Sequence, residues 1–376
     1  MDFNLTAEQR LVMEMTRELC RKEIDPIAHK LDAENRVTDE LLKKYAELGL
    51  FGMDIPADYG GSESGYFSHL LAIEQLAYSG SPAWWPVAFN NSLPNAIFHF
   101  GTEYHKERFI RGNLDGAKLF SIQFTEPETG SDPDALLTTS RPDGDHYIIN
   151  GHKRFSTFGA RPGPALVWTK DETGACTCFI IEKLTPGYSA PKKWDLMGSG
   201  GVESVEVYYD DFRVHRDQIL GEKGKGFEVL LYWIAIEKLE GCIVAVALGQ
   251  AALDEAIKYT KNRMIKNRPL SDMQGVRFEL ADMYSKIEAC RYMVYRAAHI
   301  SLKDQALFQR EAAACKIFVQ PIMSQVIEAS FRLHGCYGYT KDFKIERLYR
   351  AQPGNMVISV NLDINKGIVG ASLVKE

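Results

Sequence analysis

The sequence contains no uninterrupted apolar run of about 18 residues or more, the length that a membrane-spanning helix requires, so we expect no membrane span. Basic residues also do not outnumber acidic ones, with 44 Lys and Arg against 50 Asp and Glu. The net charge of −6 does not favour a nucleic-acid-binding protein, because such proteins normally carry a positively charged surface. The first residues, Met1 to Thr6, lack the pattern of a signal peptide or a transit peptide.

Spacings that hold a metal ion are also missing. None of the nine histidines belongs to a His-x-x-x-His or His-x-x-Glu-His pattern, which does not favour a metal enzyme. The seven cysteines are scattered, and the spacing of the one close pair, Cys176 and Cys178, suits neither a zinc site nor a redox pair. We therefore expect no metal, reduced cysteines in the core and a cytoplasmic protein. The mitochondrial matrix is the alternative if a transit peptide has been removed.

The hydrophobic pattern divides the chain into three parts. Residues 1–115 have mainly helical spacing. Residues 116–222 alternate with a period of two, and Asn150-Gly151 predicts a tight hairpin turn. Residues 223–376 return to helical spacing. The pattern predicts a mainly α fold with a central β domain: an N-terminal helical domain, a middle β domain and a C-terminal helical bundle.

The segment from Thr125 to Asp132, Thr-Glu-Pro-Glu-Thr-Gly-Ser-Asp, carries the most specific pattern. Gly130 lets backbone amides approach a ligand closely, while the hydroxyls of Thr125 and Ser131 can bond a polar cofactor. A capped surface turn uses the same residue types. The segment resembles the flavin-binding signature of acyl-CoA dehydrogenases, with Thr129 replacing the usual small residue. The resemblance implies a middle β-barrel or sandwich, a C-terminal four-helix bundle and bound FAD.

Other segments resemble the same family in order along the chain. Phe155 and Thr157 fall where the family packs a strand along the flavin, which implies that Phe155 stacks on the ring and Thr157 bonds its edge. Packing in the core of a strand is the alternative for Phe155. Arg263 and Gln274 match family residues that contact FAD, the arginine across a subunit boundary. Gly335 belongs to a matching turn that we also expect at the cofactor. For Arg263, a solvated position on a helix surface is the alternative.

The implied reaction is the FAD-dependent α,β-dehydrogenation of an acyl thioester such as an acyl-CoA. It needs a carboxylate that removes the α-proton while hydride passes to flavin N5, and burial raises the pKa of a carboxyl and suits it to accept that proton. The glutamate that most members use falls on Ser359 here. A minority, including the isovaleryl-CoA type, place it where this sequence has Glu237, followed by Lys238 where those members have arginine.

Glu237 is therefore the predicted general base, and Glu240, three positions further along the same helix, is a weaker rival. The alternative for Glu237 is a solvated helix glutamate, although its flanks are strongly apolar. We expect the substrate to contact Ser131, Lys238 and the backbone N–H of Ser359.

The resemblance also implies a homotetramer that passes electrons to electron-transfer flavoprotein. Three alternatives stay open: an enoyl-thioester reductase, an oxidase of acyl groups on a carrier protein, and a non-catalytic partner subunit of a heteromeric dehydrogenase. The loss of the common glutamate at Ser359 motivates the last. The acyl group is left open. Trp84 and Trp85 lie where the family's substrate-cavity wall begins, although tryptophan pairs are commonly simple packing.

Overall fold

The computed structural model describes residues 4–130, 132–301 and 304–375. In chain order, helices α1 to α11 span Ala7–Leu19, Ala28–Glu34, Asp39–Glu47, Tyr66–Ala77, Trp85–Phe100, Glu103–His105, Gly226–Asn262, Gln274–Ser301, Gln305–His334, Lys344–Val357 and Leu362–Leu373. Strands β1 to β9 span Ser121–Gln123, Thr139–Asp143, His146–Thr157, Pro164–Lys170, Cys176–Glu182, Tyr188–Lys193, Ser204–His215, Met264–Ile265 and Arg268–Pro269. The predicted mainly α fold with a central β domain is confirmed. Among the described helices, none is long and apolar enough to cross a bilayer.

The N-terminal helices pack against the C-terminal bundle. α1 begins with a capping box, in which the Gln9 N–H donates to Thr6 Oγ1 (3.2 Å) and the Thr6 N–H donates to Gln9 Oε1 (2.9 Å). α4 and α5 are apolar and buried on nearly every side, as expected of core helices. Both pack against α7, the helix that carries Glu237.

In the described part of the chain, seven strands form one mixed sheet in the order β1-β4-β2-β3-β7-β6, with β5 paired to β4. The β1–β4 pair is parallel, whereas β3 pairs with β2 and with β7 in antiparallel register. Apolar side chains from β3, β4, β5 and β7 form a small core of the sheet's own. One face of the sheet therefore packs on its own side chains, while the other face joins the main core.

The tight turn predicted at Asn150-Gly151 is wrong, because both residues lie inside β3 at an irregularity of its pairing with β7. The Asn150 side chain donates to Asp211 Oδ1 at 3.0 Å on the neighbouring strand. A Cβ on Gly151 would lie 2.4 Å from Thr138 Oγ1, so this glycine permits a close approach of two segments. The hairpin turn between β2 and β3 instead contains Gly144, which has a φ of +64°.

α7 is the central helix of the C-terminal bundle and packs against α8, α9 and α10. Most side chains in its middle part are buried on all sides of the helix, which is the pattern of a core helix and not of a surface helix. One continuous apolar core joins the bundle, the N-terminal helices and one face of the sheet. Neighbours on several sides therefore hold α7 in place where it passes the β domain.

Candidate active site

A cavity of about 530 Å³ lies between the β domain and the C-terminal bundle, a volume typical of small-molecule sites. Its walls come from α5, the segment after β1, β3, the loop before β7, α7 and the turn after α10. The lining is mainly apolar and aromatic, and its charged members are Arg154, Glu237 and Arg350. Arg350 is already paired with Asp32 and Glu346, so Arg154 and Glu237 are the charged groups best placed to meet a ligand.

Four predicted cofactor residues line this cavity: Thr125, Gly130, Phe155 and Thr157. They come from two segments well separated in sequence, which the sheet brings to one wall. Ser131, predicted to bind both cofactor and substrate, lies outside the described residues. The motif after β1 and the end of β3 therefore meet at one cavity wall, and their contact with a cofactor stays a prediction.

Phe155 occupies an irregularity of β3 and has a φ of +54°. This left-handed conformation is unfavourable for a residue with a Cβ, and such bulges re-aim side chains. The side chain is 52% exposed, and its ring stacks on Trp194 with centroids 5.1 Å apart. Phe155 is thus not a core strand residue, and its ring can form one face of a site for a planar ligand.

Glu126, the second residue of the flavin-like motif, anchors the motif to the sheet. Its carboxylate accepts hydrogen bonds from the N–H groups of Leu137 (2.5 Å) and Thr138 (2.9 Å). The Lys153 ammonium donates to Glu126 Oε1 at 2.7 Å and to the Phe124 carbonyl at 3.1 Å. Burial opposes ionisation of Glu126, but Lys153 and the two N–H donors hold its pKa below the ordinary value. The sequence patterns did not reveal this buried ion pair, because its members are distant in the chain.

Glu237 lies where α7 passes the cavity and is 8% exposed. Its Oε2 has no hydrogen-bond partner among the residues that the structure describes. Burial raises the pKa of Glu237, and the Ser359 hydroxyl and the ammonium groups of Lys316 and Lys238 partly offset that rise. A buried carboxyl with a raised pKa at a cavity wall is suited to exchange a proton with a ligand.

Ser359 lines the same cavity from the turn between α10 and α11. Its φ of +66° is left-handed and unusual for serine. The Lys316 ammonium on α9 donates to the carbonyl of the preceding residue, Ile358, which ties the turn to the bundle. Ser359 and Glu237 therefore reach one cavity from two different parts of the bundle.

Lys238, a predicted substrate contact, is not among the residues that line the cavity. Consecutive helical residues point about 100° apart, so Lys238 turns away from the wall that Glu237 occupies. It is 2% exposed, and burial, together with the charge of Lys316, lowers its pKa to about 8. Lys238 therefore acts as a neighbouring positive charge for Glu237, and its position gives no support to a substrate contact.

Arg263, Gln274 and Gly335 lie outside this cavity, on the exposed surface at one end of the bundle. They mark the end of α7, the start of α8 and the end of α9, respectively. From this position they could contact a cofactor held by a second copy of the chain. Their contacts with FAD thus stay predictions that depend on assembly.

The sequence patterns missed most of an aromatic wall. Trp85 lines the cavity together with Phe89 and Trp233. Ring centroids are 5.4 Å apart for Trp85 and Phe89 and 6.1 Å apart for Phe89 and Trp233, while Trp84 stacks on Trp85 at 4.1 Å. Phe89 follows Trp85 by one helical turn and Trp233 precedes Glu237 by one turn, so helical spacing is the signal that could have found both.

Comparison with known proteins gives a consistent result over nearly the whole chain. Models of the acyl-CoA dehydrogenase N-terminal, middle and C-terminal domains match residues 6–117, 121–212 and 224–373. The 3-(aryl)acrylate reductase of Clostridium sporogenes is 32% identical over 376 residues, covering 98% of this chain and 99% of that protein. A subunit of the caffeyl-CoA reductase–Etf complex of Acetobacterium woodii is 30% identical over 349 residues, covering 91% and 92%. The solved structure of butyryl-CoA dehydrogenase from Megasphaera elsdenii superposes with a TM-score of 0.94 at 30% identity over 100% of both chains.

Together, the fold, the cavity and these matches define an oxidoreductase that acts on CH–CH groups. The chain belongs to the acyl-CoA dehydrogenase family, whose members are FAD flavoproteins. The family predicted from the sequence motifs is confirmed. Within the described ranges, no group of three or more His, Cys, Asp or Glu side chains could hold a metal ion.

Proposed function

We propose that the protein is an FAD-dependent oxidoreductase that acts on the Cα–Cβ bond of an acyl thioester such as an acyl-CoA, with Glu237 as the general base. One observation carries the proposal: Glu237 is a buried carboxyl with a raised pKa, and it shares a cavity with the flavin-like motif. Family membership supplies the reaction class, and this geometry supplies the proton acceptor that the reaction needs.

The cavity fits a planar ring with a polar edge. Phe155 offers a stacking face, while Thr125 and Thr157 bring hydroxyl-bearing side chains to the wall. Arg154 also lines the cavity, and within the described residues its Nε has no hydrogen-bond partner, although Glu206 lies 3.7 Å away. We assign the flavin of FAD to this wall. When bound, FAD supplies the acceptor or donor of hydride.

Glu237 handles the proton in either direction. In dehydrogenation, its ionised carboxylate accepts the α-proton of the thioester as the β-hydrogen leaves as hydride. In reduction, neutral Glu237 returns a proton to the α carbon. Burial favours the neutral form, whereas the Ser359 hydroxyl and the charges of Lys316 and Lys238 favour the ionised form. This balance lets one group act as both acceptor and donor.

The backbone N–H of Ser359 is the donor that we assign to the thioester carbonyl. Ser359 lines the cavity together with Glu237, and a main-chain donor does not depend on the identity of the side chain. A hydrogen bond to the carbonyl oxygen stabilises the negative charge that develops there when the α-proton leaves.

Substrate, direction and electron partner follow from the relatives and the cavity wall. The Clostridium and Acetobacterium relatives are reductases, the second in a complex with Etf, whereas the Megasphaera protein is a dehydrogenase. Enoyl-thioester reduction is the second candidate direction. The wall of Trp85, Phe89 and Trp233 suits an aromatic acyl group.

We propose electron-transfer flavoprotein as the electron partner. A non-catalytic subunit is disfavoured because Glu237 places a carboxyl that can act as the base in the cavity.

A homotetramer is the assembly that we propose. Arg263, Gln274 and Gly335 form an exposed group at one end of the bundle. In a tetramer this group would complete the FAD site of a neighbouring subunit. Sedimentation of the FAD-loaded protein tests the assembly, and a monomer that binds FAD tightly would contradict it.

The visible spectrum of the purified protein tests the proposed reaction. Flavin absorbance should accompany the chain, and an acyl-CoA added without oxygen should bleach it. After chemical reduction of the flavin, an enoyl-CoA should restore the absorbance. Comparing aliphatic with aromatic thioesters in both directions identifies the preferred acyl class. A chain that takes up no FAD, or whose flavin responds to no thioester in either direction, would contradict the proposal.

A further inference from the structure

Three titratable side chains form a buried row behind Glu237. Glu240 lies one helical turn further along α7, and its Oε1 is 3.5 Å from Nε2 of His69 on α4. Nδ1 of His69 is 4.0 Å from Oδ2 of Asp54, in the loop before α4. The side chains of Glu240, His69 and Asp54 are 1%, 0% and 9% exposed. The row thus leads from the base to Asp54, the least buried of the three side chains.

The polar atoms of the row are unpaired. In the part of the chain that the structure describes, both ring nitrogens of His69 and both carboxyl oxygens of Glu240 have no hydrogen-bond partner. Buried polar groups are nearly always hydrogen-bonded, so each exception needs an explanation. Small side-chain rotations would bring these neighbouring groups into hydrogen-bond contact, which suits groups that pass a proton along.

A second, very small cavity joins the row to the base. It has a volume of about 10 Å³, has Glu237 and Glu240 in its wall, and is bordered further by Trp84, Gly241 and Asn355. This volume is about the space that one water molecule needs. A water molecule there would be close to both carboxyl groups and could bond to them in turn.

Burial determines which members of the row carry protons. It raises the pKa of Glu240 well above the ordinary value, and the charges of Glu237 and Asp54 add to that rise while the nearby Ser92 hydroxyl opposes it. Burial lowers the pKa of His69 to about 3 and raises the pKa of Asp54 to about 7. Burial therefore favours the neutral acid form of Glu240, and near neutral pH His69 is a neutral imidazole with one donor and one acceptor nitrogen.

The other titratable groups around the row do not compete for the proton. Burial raises the pKa of Tyr66 well above its ordinary value, and raises the pKa of both Tyr232 and Cys242 to about 12. Burial lowers the pKa of Lys238 and of Lys316, which act on the base and not on the imidazole. Among these neighbours, Glu240, His69 and Asp54 are the groups placed end to end behind Glu237.

We propose that Glu240, His69 and Asp54 form a proton path between Glu237 and the surface, used when cofactor and thioester fill the main cavity. The inference rests on Glu237 being the base. A proton on Glu237 passes through the small cavity to Glu240, whose own hydroxyl proton moves to His69 Nε2. The Nδ1 proton moves to the Asp54 carboxylate and then to solvent. Reduction reverses each transfer. The three residues do not line the main cavity, so they are positioning residues for the base.

Two rates measured on the FAD-loaded protein separate the path from the base. Bleaching of the flavin by an acyl-CoA in one turnover needs only proton transfer to Glu237. Exchange of the α-hydrogen with D₂O, followed by NMR on a thioester that has no transferable β-hydrogen, also needs that proton to reach solvent. In Glu240→Gln and His69→Gln we expect bleaching close to that of the wild type and exchange at least ~10-fold slower, as for loss of a positioned proton-transfer group.

If these residues had a purely structural role, their replacement would lower both rates together. That result, or no change in either rate, would refute the proposed proton path. His105→Gln removes another buried histidine, outside the row, and should leave both rates unchanged. If Glu240→Gln and His69→Gln do not fold, Asp54→Asn at the outer end of the row tests the same transfer. Unimpaired bleaching in Glu237→Gln would instead refute Glu237 as the base in the proposed function, so the two failures are distinguishable.

Discussion

The Glu237 carboxyl and the Ser359 hydroxyl lie at the wall of one cavity, and the hydroxyl offsets part of the rise in the pKa of Glu237 that burial causes. Glu237 is in the middle of α7, whereas Ser359 follows α10. The two sequence positions that compete for the role of base therefore converge in space. A second carboxylate at position 359 would repel the first and raise the pKa of both, so a neutral residue there is compatible with a base at Glu237.

Replacing the base should abolish most of the chemistry without loss of the cofactor. Glu237→Gln keeps the size of the side chain but removes the proton acceptor, so we expect flavin reduction by a thioester to slow ~100-fold or more. Stopped-flow absorbance measures the rate, and the flavin spectrum reports occupancy. The control is Glu228→Gln, which neutralises an exposed glutamate on the same helix and should match the wild type. Full activity of Glu237→Gln would direct the search for the base to Glu240.

Moving the carboxylate should restore part of the activity. Position 359 faces the same cavity. We therefore expect the double variant Glu237→Gln/Ser359→Glu to reduce flavin on the order of 10-fold faster than Glu237→Gln alone. Ser359→Ala alone should be mild, since the main-chain N–H remains. A double variant no faster than Glu237→Gln would show that position 359 does not reach the α carbon.

The pH dependence of flavin reduction should follow Glu237. A carboxyl with a raised pKa stays protonated at pH values where an ordinary glutamate is ionised, so dehydrogenation should be lost as the pH falls through that raised pKa. Lys316 favours the ionised form, and Lys316→Met should therefore move the acid limb of the profile to higher pH. Single-turnover rates measured across the pH range check this. A shift to lower pH would contradict the assigned role of Lys316.

Breaking the buried ion pair under the flavin-like motif should be costly. Lys153→Met leaves the Glu126 carboxylate buried without its cation, and we expect the free energy of unfolding to fall by about 3–5 kcal/mol. The control is Lys192→Met, because its pair with Glu206 at 3.3 Å has a 53% exposed lysine side chain and should contribute at most about 1 kcal/mol. Urea denaturation measures both. If the two substitutions lowered the free energy of unfolding equally, the buried pair would contribute no more to stability than the exposed pair.

Phe155 should contribute to flavin binding through its ring. Phe155→Ala removes the stacking face, and the dissociation constant of FAD should rise roughly 10-fold, equivalent to about 1.4 kcal/mol. Phe155→Gly removes the same ring but also relieves the left-handed backbone at φ +54°. It should therefore bind FAD as weakly as Phe155→Ala yet unfold at a higher denaturant concentration. Wild-type affinity in both variants would rule out ring stacking.

Much of the fold was predictable because its signals are local. The hydrophobic pattern changes from helical spacing to alternation and back in contiguous stretches of the chain. The motif that begins at Thr125 and the segment around Phe155 are also short and specific. Local signals also misled: Asn150-Gly151 has the composition of a tight turn, but Asp211 and Thr138, contributed by other segments, hold it inside a strand.

Periodicity and contiguous motifs can be read without a structure, so they predicted the order of the domains, the family and two segments that line the cavity. That Glu237 and Ser359 share a cavity, and that His69 lies between Glu240 and Asp54, becomes visible in the folded chain. The fold also sets the direction in which the pKa of each of these groups shifts. The physical reason is that a proton affinity depends on burial and on neighbouring charges, and both are set by residues that are distant in the chain and close only in the folded protein.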